Sequence, residues 1–153
     1  MQVANGDLKF TPGANSNGST SFTYSAHDGE AWSANTGTFN LTVSAVNDAP
    51  TVTSAGALIE GSSGPASIQL GGADSDSGDS VELFRIETLP EHGTLTLNGH
   101  TVTAGQTITQ AEMSSGQLQF SPDRTWSGST EFTFRTSDGD DWSDSSGTFS
   151  LTV

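Results

Sequence analysis

The sequence contains no cysteine, so it has neither a disulfide framework nor thiol chemistry. Only 4 residues are Lys or Arg, against 18 Asp or Glu, which gives a formal net charge of -14. A negative field of this size repels phosphate and anionic lipid and attracts divalent cations. No apolar run approaches the roughly 20 residues that a membrane-spanning helix needs. We therefore expect no nucleic-acid partner and no membrane insertion.

Apolar side chains are also scarce. Leu, Ile, Val and Phe together make up about a fifth of the chain, which borders on the composition of disordered proteins when net charge is high. A flexible acidic linker is therefore one interpretation, and the strand patterns described below argue against it. A fold with so small a core would gain stability from a bound metal ion. The first residues show no signal-peptide pattern, and we expect the chain to be a piece of a longer protein.

Two parts of the sequence match each other at a constant offset of 110 positions, as in Leu8 with Leu118 and Val43 with Val153. The matching segments are 8–12 with 118–122, 18–24 with 128–134, 28–33 with 138–143, and 37–43 with 147–153. The repeat predicts that residues 1–45 are the C-terminal part of a preceding repeat and that residues 46–153 form a complete one. Three strands alone cannot bury both faces of a sandwich, so we expect residues 1 to about 44 to be less ordered than the rest or to borrow a partner by domain swapping.

The complete repeat reads as a series of short strands. Runs rich in Thr, Val, Ile and Phe are separated by Gly, Asp, Asn and Ser. Phe132, Phe134 and Thr136 alternate with the residues between them, and Phe149, Leu151 and Val153 do the same, which indicates antiparallel strands with one buried face. Residues 67–70 and 81–89 predict two further strands. About seven to nine strands in such a length favour an all-β fold, an Ig-like Greek-key β-sandwich, with a small closed barrel as the lesser alternative.

Two local signals predict a hairpin and a helical turn. The pair Asn98-Gly99 lies between two strand-like runs, and both residues accept the positive φ that a tight hairpin turn requires. Thr109 stands three residues before Glu112, the spacing of a helix capping box. We therefore expect one short helical turn there and no other helix.

The loop of residues 74–79 carries carboxylates at alternate positions, in Asp74 and Asp76, and a third in Asp79. Ca²⁺ takes six to eight hard oxygen ligands, and a tight loop with alternate Asp residues delivers several to one point. The loop is not an EF-hand, because Gly stands at its fifth position and no Glu at its twelfth. The alternative is a solvated turn, in which Asp and Ser are common.

A second acidic group follows the strand that ends near residue 137. Asp138 has its counterpart in Asp28 of the first segment, whereas the acids at 140, 141 and 144 do not recur identically. Asn47 and Asp48 stand at the junction between the repeats, and Pro50 restricts the residue before it to an extended conformation. Glu60 could supply another carboxylate from the opening of the repeat. A hairpin loop with solubilising acids is the alternative for the second group.

At several places the sequence resembles the cadherin-like repeats of large bacterial surface adhesins and the related chondroitin-sulfate-proteoglycan-type repeats. The segments that carry the resemblance are 46–50, 89–95, 108–112, 118–122 and 132–139. The resemblance implies a cadherin-like sandwich in a rod-like array on a secreted or cell-surface protein, with neighbouring repeats as partners. Polysaccharide or another cell-surface protein is a further partner that it allows.

The same resemblance implies a set of Ca²⁺ ligands. Asn47 and Asp48 would be linker ligands, Asp74 and Asp76 the paired aspartates, and Glu60 the early glutamate. Asp28 would reach the junction from the upstream repeat, while Asp79 and Asp138 come from the acidic loops described above. The implied function is a Ca²⁺-binding structural and adhesive repeat.

Two other functions stay open. Trp126 has no aromatic counterpart in the first segment and could be an exposed platform for a sugar ring, which would make the chain a carbohydrate-binding module. A metal-free spacer of the same fold is the third interpretation. The recurring Trp32 and Trp142 are better suited to core packing or loop closure. The chain has no nucleophile, phosphate-binding or dinucleotide motif, so we expect it not to be an enzyme.

Overall fold

The computed structural model describes residue 6, residues 8–60 and residues 64–153. The chain divides into two compact units, Met1–Val46 (unit 1) and Asn47–Val153 (unit 2).

Unit 1 contains a two-stranded antiparallel ribbon. Strand β1 (Gly18–Tyr24) pairs with β2 (Gly37–Val43), and Phe22 lies opposite Phe39. Their rings stack with centroids 5.4 Å apart. Residues 8–12 do not form a strand here, although their counterparts in unit 2 do. The expected third strand is therefore wrong, because the described part of unit 1 offers no neighbouring strand that could pair with this segment.

Unit 2 is almost entirely β-structure. Its elements are β3 (Thr51–Thr53), β4 (Ala55–Leu58), β5 (Ala66–Ser67), β6 (Gly71–Ala73), β7 (Leu83–Ile86), β8 (Thr94–Leu97), β9 (His100–Thr101), β10 (Thr107–Thr109), α1 (Gln110–Ser114), β11 (Leu118–Ser121), β12 (Ser129–Ser137) and β13 (Gly147–Thr152). One sheet has the order β10-β7-β12-β13-β4, a second has the order β5-β11-β8-β9, and β3 pairs with β6. The expected all-β sandwich with one short helical turn is confirmed.

The core forms because apolar side chains alternate along the paired strands. Phe132 and Phe134 of β12 are fully buried, as are Leu118 and Phe120 of β11 in the other sheet. Phe132 lies opposite Phe149 of β13, and their ring centroids are 5.4 Å apart. Each fully buried aromatic or aliphatic side chain contributes about 1.5–3 kcal/mol relative to an exposed one, so these few residues carry much of the stability of unit 2.

The two local predictions agree with the structure. The Thr109 hydroxyl accepts a hydrogen bond from the Glu112 N–H, and the Glu112 carboxylate accepts one from the Thr109 N–H, which completes the capping box at the start of α1. Asn98 and Gly99 take φ values of 53° and 79° in the turn between β8 and β9.

Two strands are shorter than the sequence pattern indicates. Strand β5 ends at Ser67 and β7 ends at Ile86. Beyond β7 the Thr133 N–H of β12 donates to the Thr88 hydroxyl, at 2.9 Å. The N–H groups of Glu87 and Thr88 both donate to the Thr133 carbonyl, at 2.8 Å and 3.4 Å, so two residues face one and the regular ladder ends there.

Candidate functional site

The loop between β12 and β13 is organised by the Asp138 carboxylate. Its Oδ1 atom accepts hydrogen bonds from the backbone N–H groups of Asp140, at 2.9 Å, and Asp141, at 2.8 Å. A β-bridge between Ser137 and Trp142 closes the loop behind them. The pKa of Asp138 is lowered from its ordinary value, mainly by the hydrogen bond from the Asp141 N–H and next by one from the side-chain amide of Asn47.

The counterpart loop in unit 1 has the same internal geometry. Asp28 Oδ1 accepts from the N–H groups of Glu30, at 2.9 Å, and Ala31, at 2.8 Å, and a β-bridge joins His27 to Trp32. The Ala31 N–H, followed by that of Glu30, lowers the pKa of Asp28. One role of the recurring aspartate is therefore to fold its own loop, which its recurrence alone does not reveal.

Asn47 connects the start of unit 2 to the β12–β13 loop. Its side-chain amide donates to Asp138 Oδ2 at 2.9 Å and to Asp141 Oδ2 at 3.2 Å. One amide group thus serves two carboxylates that belong to a loop about 90 residues further along the chain, a separation at which only tertiary folding brings groups together. The structure thus brings together Asn47 and Asp138, two of the predicted metal ligands.

Asp48 connects the same segment to the 74–79 loop. Its backbone N–H donates to Asp76 Oδ2 at 2.7 Å, the short distance that is typical of a charge-assisted hydrogen bond. The Asp76 N–H in turn donates to Asp74 Oδ1 at 2.8 Å. Asp79 joins the loop through its backbone, since its N–H donates to the Asp76 carbonyl at 3.4 Å.

The second oxygen of Asp74 is the exception in this network. Asp74 Oδ2 is enclosed by the protein and accepts no hydrogen bond from any of the described residues. A buried carboxylate oxygen without a partner costs free energy on the order of 1–3 kcal/mol, and more when it carries charge. Such an atom is where a bound cation would contribute most.

Asn47 and Asp48 together form what we call the linker pair. The two residues are consecutive along the chain, yet they bond to two acidic loops from distant parts of the sequence. Asn47 bonds to Asp138 and Asp141 of the β12–β13 loop, and Asp48 bonds to Asp76 of the 74–79 loop. The linker pair therefore gathers carboxylates at the start of unit 2.

Sequence reasoning undervalued or missed two carboxylates near this cluster. Asp141 accepts a hydrogen bond from Asn47, yet the sequence favoured Asp138 as a ligand because the counterpart of Asp141 in the first segment is Ala31, which is not acidic. Glu82 comes just before β7, and a Cβ atom placed on Gly139 would lie 3.0 Å from Glu82 Oε2. No sequence signal marks Glu82, because its proximity to the loop arises from the pairing of β7 with β12.

Glu60 does not join the cluster. Strand β4 runs parallel to β13 with Leu58 opposite Thr152, and Glu60 follows it. Glu60 therefore lies beyond the C-terminal end of β13, whereas the β12–β13 loop precedes the first residue of that strand. The parallel pairing thus places Glu60 at the end of β13 that lies opposite the β12–β13 loop, and its role as a ligand stays a prediction. Asp28 belongs to unit 1.

The cluster offers oxygen ligands without being a preformed metal centre. In the part of the chain that the structure describes, no group of three or more His, Cys, Asp or Glu side chains is arranged to hold a metal ion. Protein N–H groups partner the oxygens of Asp76 and Asp138 instead. The ligand types nevertheless fit a hard cation such as Ca²⁺, since carboxylate and amide oxygens are what it prefers, and Asp74 Oδ2 still lacks a partner.

Trp126 lies in a different place, beside a depression that Glu91, Thr130 and Glu131 also line. Its ring stacks on His92 with centroids 4.5 Å apart and 22° between the planes. The indole is half-buried, and His92 covers part of one face. A sugar ring would therefore have to use the remaining surface of the indole.

The recurring tryptophan of unit 2 has a packing role. The Arg85 guanidinium lies 4.4 Å from the centroid of the Trp142 ring. Arg85 also pairs with Glu87 at 2.9 Å, and Arg135 approaches the same carboxylate at 3.8 Å.

Helix α1 has only five residues, and no helix among the described residues is long and apolar enough to cross a membrane.

Comparison with known families gives two matches. A family model described as cadherin-like matches residues 50–153, and one described as a bacterial Ig domain matches residues 1–42. No curated protein and no solved structure matches the chain.

Proposed function

Because the chain belongs to the cadherin-like family, we propose that it is a Ca²⁺-binding structural and adhesive repeat of a secreted or cell-surface bacterial protein. The two matched domain types indicate an extracellular adhesive or structural repeat, and domains of both types typically occur in extracellular or surface proteins. The role we propose is not enzymatic. Its partners would be neighbouring repeats of the same protein, and a polysaccharide or another cell-surface protein.

The observation that carries the metal part of the proposal is the unpartnered Asp74 Oδ2. It belongs to the same loop as Asp76, whose carboxylate is bonded to the linker pair. Asp74 and Asp76, with Asp138 and the side-chain oxygens of Asn47 and Asp48, would hold the ion. A bound Ca²⁺ supplies positive charge to carboxylates that otherwise repel one another. At an effective dielectric constant of 20, one pair of like charges 4–6 Å apart costs on the order of 3 kcal/mol.

The mechanical role follows from the hydrogen bonds of the linker pair. Asn47 and Asp48 are hydrogen-bonded to two separate loops. Two residues after Asp48, the buried Pro50 immediately precedes β3. These contacts fix the direction in which the chain enters unit 2. An ion that also binds the two loops would resist the separation of the entering chain from the sandwich under tension.

A Ca²⁺ titration by isothermal calorimetry tests the proposal. We expect the chain to bind with a Kd of about 10⁻⁴ to 10⁻³ M, the range of extracellular Ca²⁺ modules. The Asp74→Asn variant keeps an oxygen for the Asp76 N–H but loses the charge, and it should bind at least about tenfold more weakly. Asp144→Asn is the matched control, because it removes one negative charge at an exposed position of the β12–β13 loop.

Two results would reject parts of this proposal. If Asp74→Asn and Asp144→Asn bind equally to the unaltered chain, the 74–79 loop is not the site. If the unaltered chain binds no Ca²⁺, the metal-free spacer remains. The carbohydrate-binding alternative stays a prediction, and a change in Trp126 fluorescence on addition of polysaccharide would favour it.

A further inference from the structure

One face of the ribbon in unit 1, together with the neighbouring residues 8–10, exposes large apolar side chains. Leu8 is 64% exposed, Tyr24 54% and Phe39 51%. We call this surface the ribbon face. The residues that form it, around a groove of about 690 Å³, are Leu8, Phe10, Phe22, Tyr24, Phe39 and Leu41. A contiguous apolar surface of this kind usually marks an interaction site.

Each residue of the ribbon face has a counterpart in unit 2 that belongs to the hydrophobic core. Those counterparts, 110 positions further on and all between 0% and 3% exposed, are Leu118, Phe120, Phe132, Phe134, Phe149 and Leu151. The same side-chain pattern is therefore open to solvent in one unit and covered in the other.

The ribbon already has the geometry of the complete repeat. Phe22 lies opposite Phe39 in the register in which Phe132 lies opposite Phe149. The ring centroids are 5.4 Å apart in both pairs, at interplanar angles of 25° and 21°. A partner would therefore meet a surface that needs little rearrangement, which lowers the entropic cost of binding.

Unit 2 shows which strands surround the equivalent side chains. Within it, β4 extends the sheet beside β13 and β7 extends it beside β12, while β5 and β8 flank β11 in the other sheet. All four flanking strands lie within residues 50–117. In the described part of unit 1, β1 and β2 pair only with each other, so one edge of each strand is open to a further strand.

We propose that the ribbon face is a docking surface for a polypeptide equivalent to residues 50–117 of a cadherin-like repeat. Such a segment would add one strand along the open edge of β1 and another along that of β2, in the way that β7 and β4 flank β12 and β13. Its alternating apolar side chains would fill the groove and complete a second sandwich. The proposal is independent of metal binding.

The test uses the whole chain, labelled with ¹⁵N, and a separately prepared polypeptide with the sequence of residues 50–117. We expect saturable binding that shifts the amide resonances of β1 and β2. Phe22→Glu places a charge on the ribbon face and should raise the Kd about tenfold or more, which corresponds to about 1.4 kcal/mol. Leu8→Glu should do the same, and because Leu8 lies outside both strands it leaves their pairing intact.

Ser21→Glu is the matched control. Ser21 stands next to Phe22 in β1, so its side chain points away from the ribbon face. Its counterpart in unit 2 is Glu131, so a Glu at this position is compatible with the complete repeat. It should bind like the unaltered chain.

Three results would overturn the proposal. The polypeptide could fail to bind, or it could bind equally well to Phe22→Glu and Leu8→Glu, which would mean that it exchanges into unit 2. The third is self-association of the chain alone, measured by sedimentation and abolished by Phe22→Glu. The occupant would then be a second copy rather than the proposed segment.

Discussion

Replacement of Asp138 by Asn is the sharpest perturbation of the linker network. The new amide side chain would keep one oxygen for the N–H groups of Asp140 and Asp141, but its NH₂ group would then face the Asn47 amide, which donates at 2.9 Å in the unaltered chain. Asn47 could adapt only by turning its own oxygen toward the substituted side chain. That rotation would give up its second bond, at 3.2 Å, to Asp141.

The expected cost follows from the one or two bonds to charged acceptors that are lost. Asp138 is half-buried, so solvent weakens this contribution, and we expect about 1–2 kcal/mol. An unfolding entropy of about 0.22 kcal/mol per K for a unit of roughly 107 residues converts this into a decrease in Tm of about 4–9 °C.

The pH dependence gives this prediction its direction. The folded-state pKa of Asp138 is lowered from its ordinary value of 3.8 by the Asp141 N–H and then the Asn47 amide. The stabilisation is therefore fully present above the unfolded-state pKa and is lost as the pH falls through the folded-state pKa. The Tm difference between the unaltered chain and Asp138→Asn should be full at pH 7 and should shrink steadily below about pH 4.

Thermal unfolding followed by circular dichroism, with chelator present throughout, measures both quantities. Asp140→Asn is the control, because it removes an adjacent charge while its backbone N–H still donates to Asp138. Equal Tm values for the unaltered chain and Asp138→Asn at pH 7 would refute the reasoning. A difference that persists undiminished at pH 2 would do so as well.

Further predictions concern the core, one glycine and the helix cap. Phe132→Ala should destabilise unit 2 by about 3–5 kcal/mol in urea titration, because the ring is fully buried. Phe22→Ala removes the equivalent ring of unit 1, which is 38% exposed, and should leave the unfolding of unit 2 unchanged. Equal destabilisation of unit 2 by the two variants would contradict this prediction. Gly93 has a φ of 137°, and a Cβ there would clash with the Phe120 ring, so Gly93→Ala should lower the Tm by more than about 5 °C, on the order of 1–3 kcal/mol. Thr109→Ala removes the cap of α1 and should cost about 1 kcal/mol, with Thr109→Ser as the variant that retains it.

The parts of the fold that could be predicted are those set by neighbouring residues. Alternation in β12, the Thr109–Glu112 capping box and the Asn98-Gly99 turn are each determined within a few positions of the chain. The parallel pairing of β4 with β13 is different, because it joins strands about 90 residues apart and no local pattern specifies it.

The same distinction explains the outcome for the candidate site. Asn47, Asp76 and Asp138 were predicted as ligands from residue type and position. The structure connects them by hydrogen bonds of the linker pair, and their role as ligands stays a prediction. Glu60 was assigned to the site because it lies near the start of the repeat, but strand pairing carries it to the other end of β13. Glu82 reaches the neighbourhood of Gly139 through the pairing of β7 with β12, which the sequence does not reveal.

The most direct test of the proposed Ca²⁺ site compares the melting of the chain in about 10 mM Ca²⁺ with its melting in excess chelator at matched ionic strength. With a Kd of about 10⁻⁴ to 10⁻³ M, one site adds about 1.4–2.7 kcal/mol, or about 6–12 °C in Tm for unit 2. We predict a rise of this size in the unaltered chain and a much smaller one in Asp74→Asn. Superimposable melting curves of the unaltered chain in the two solutions would contradict the account.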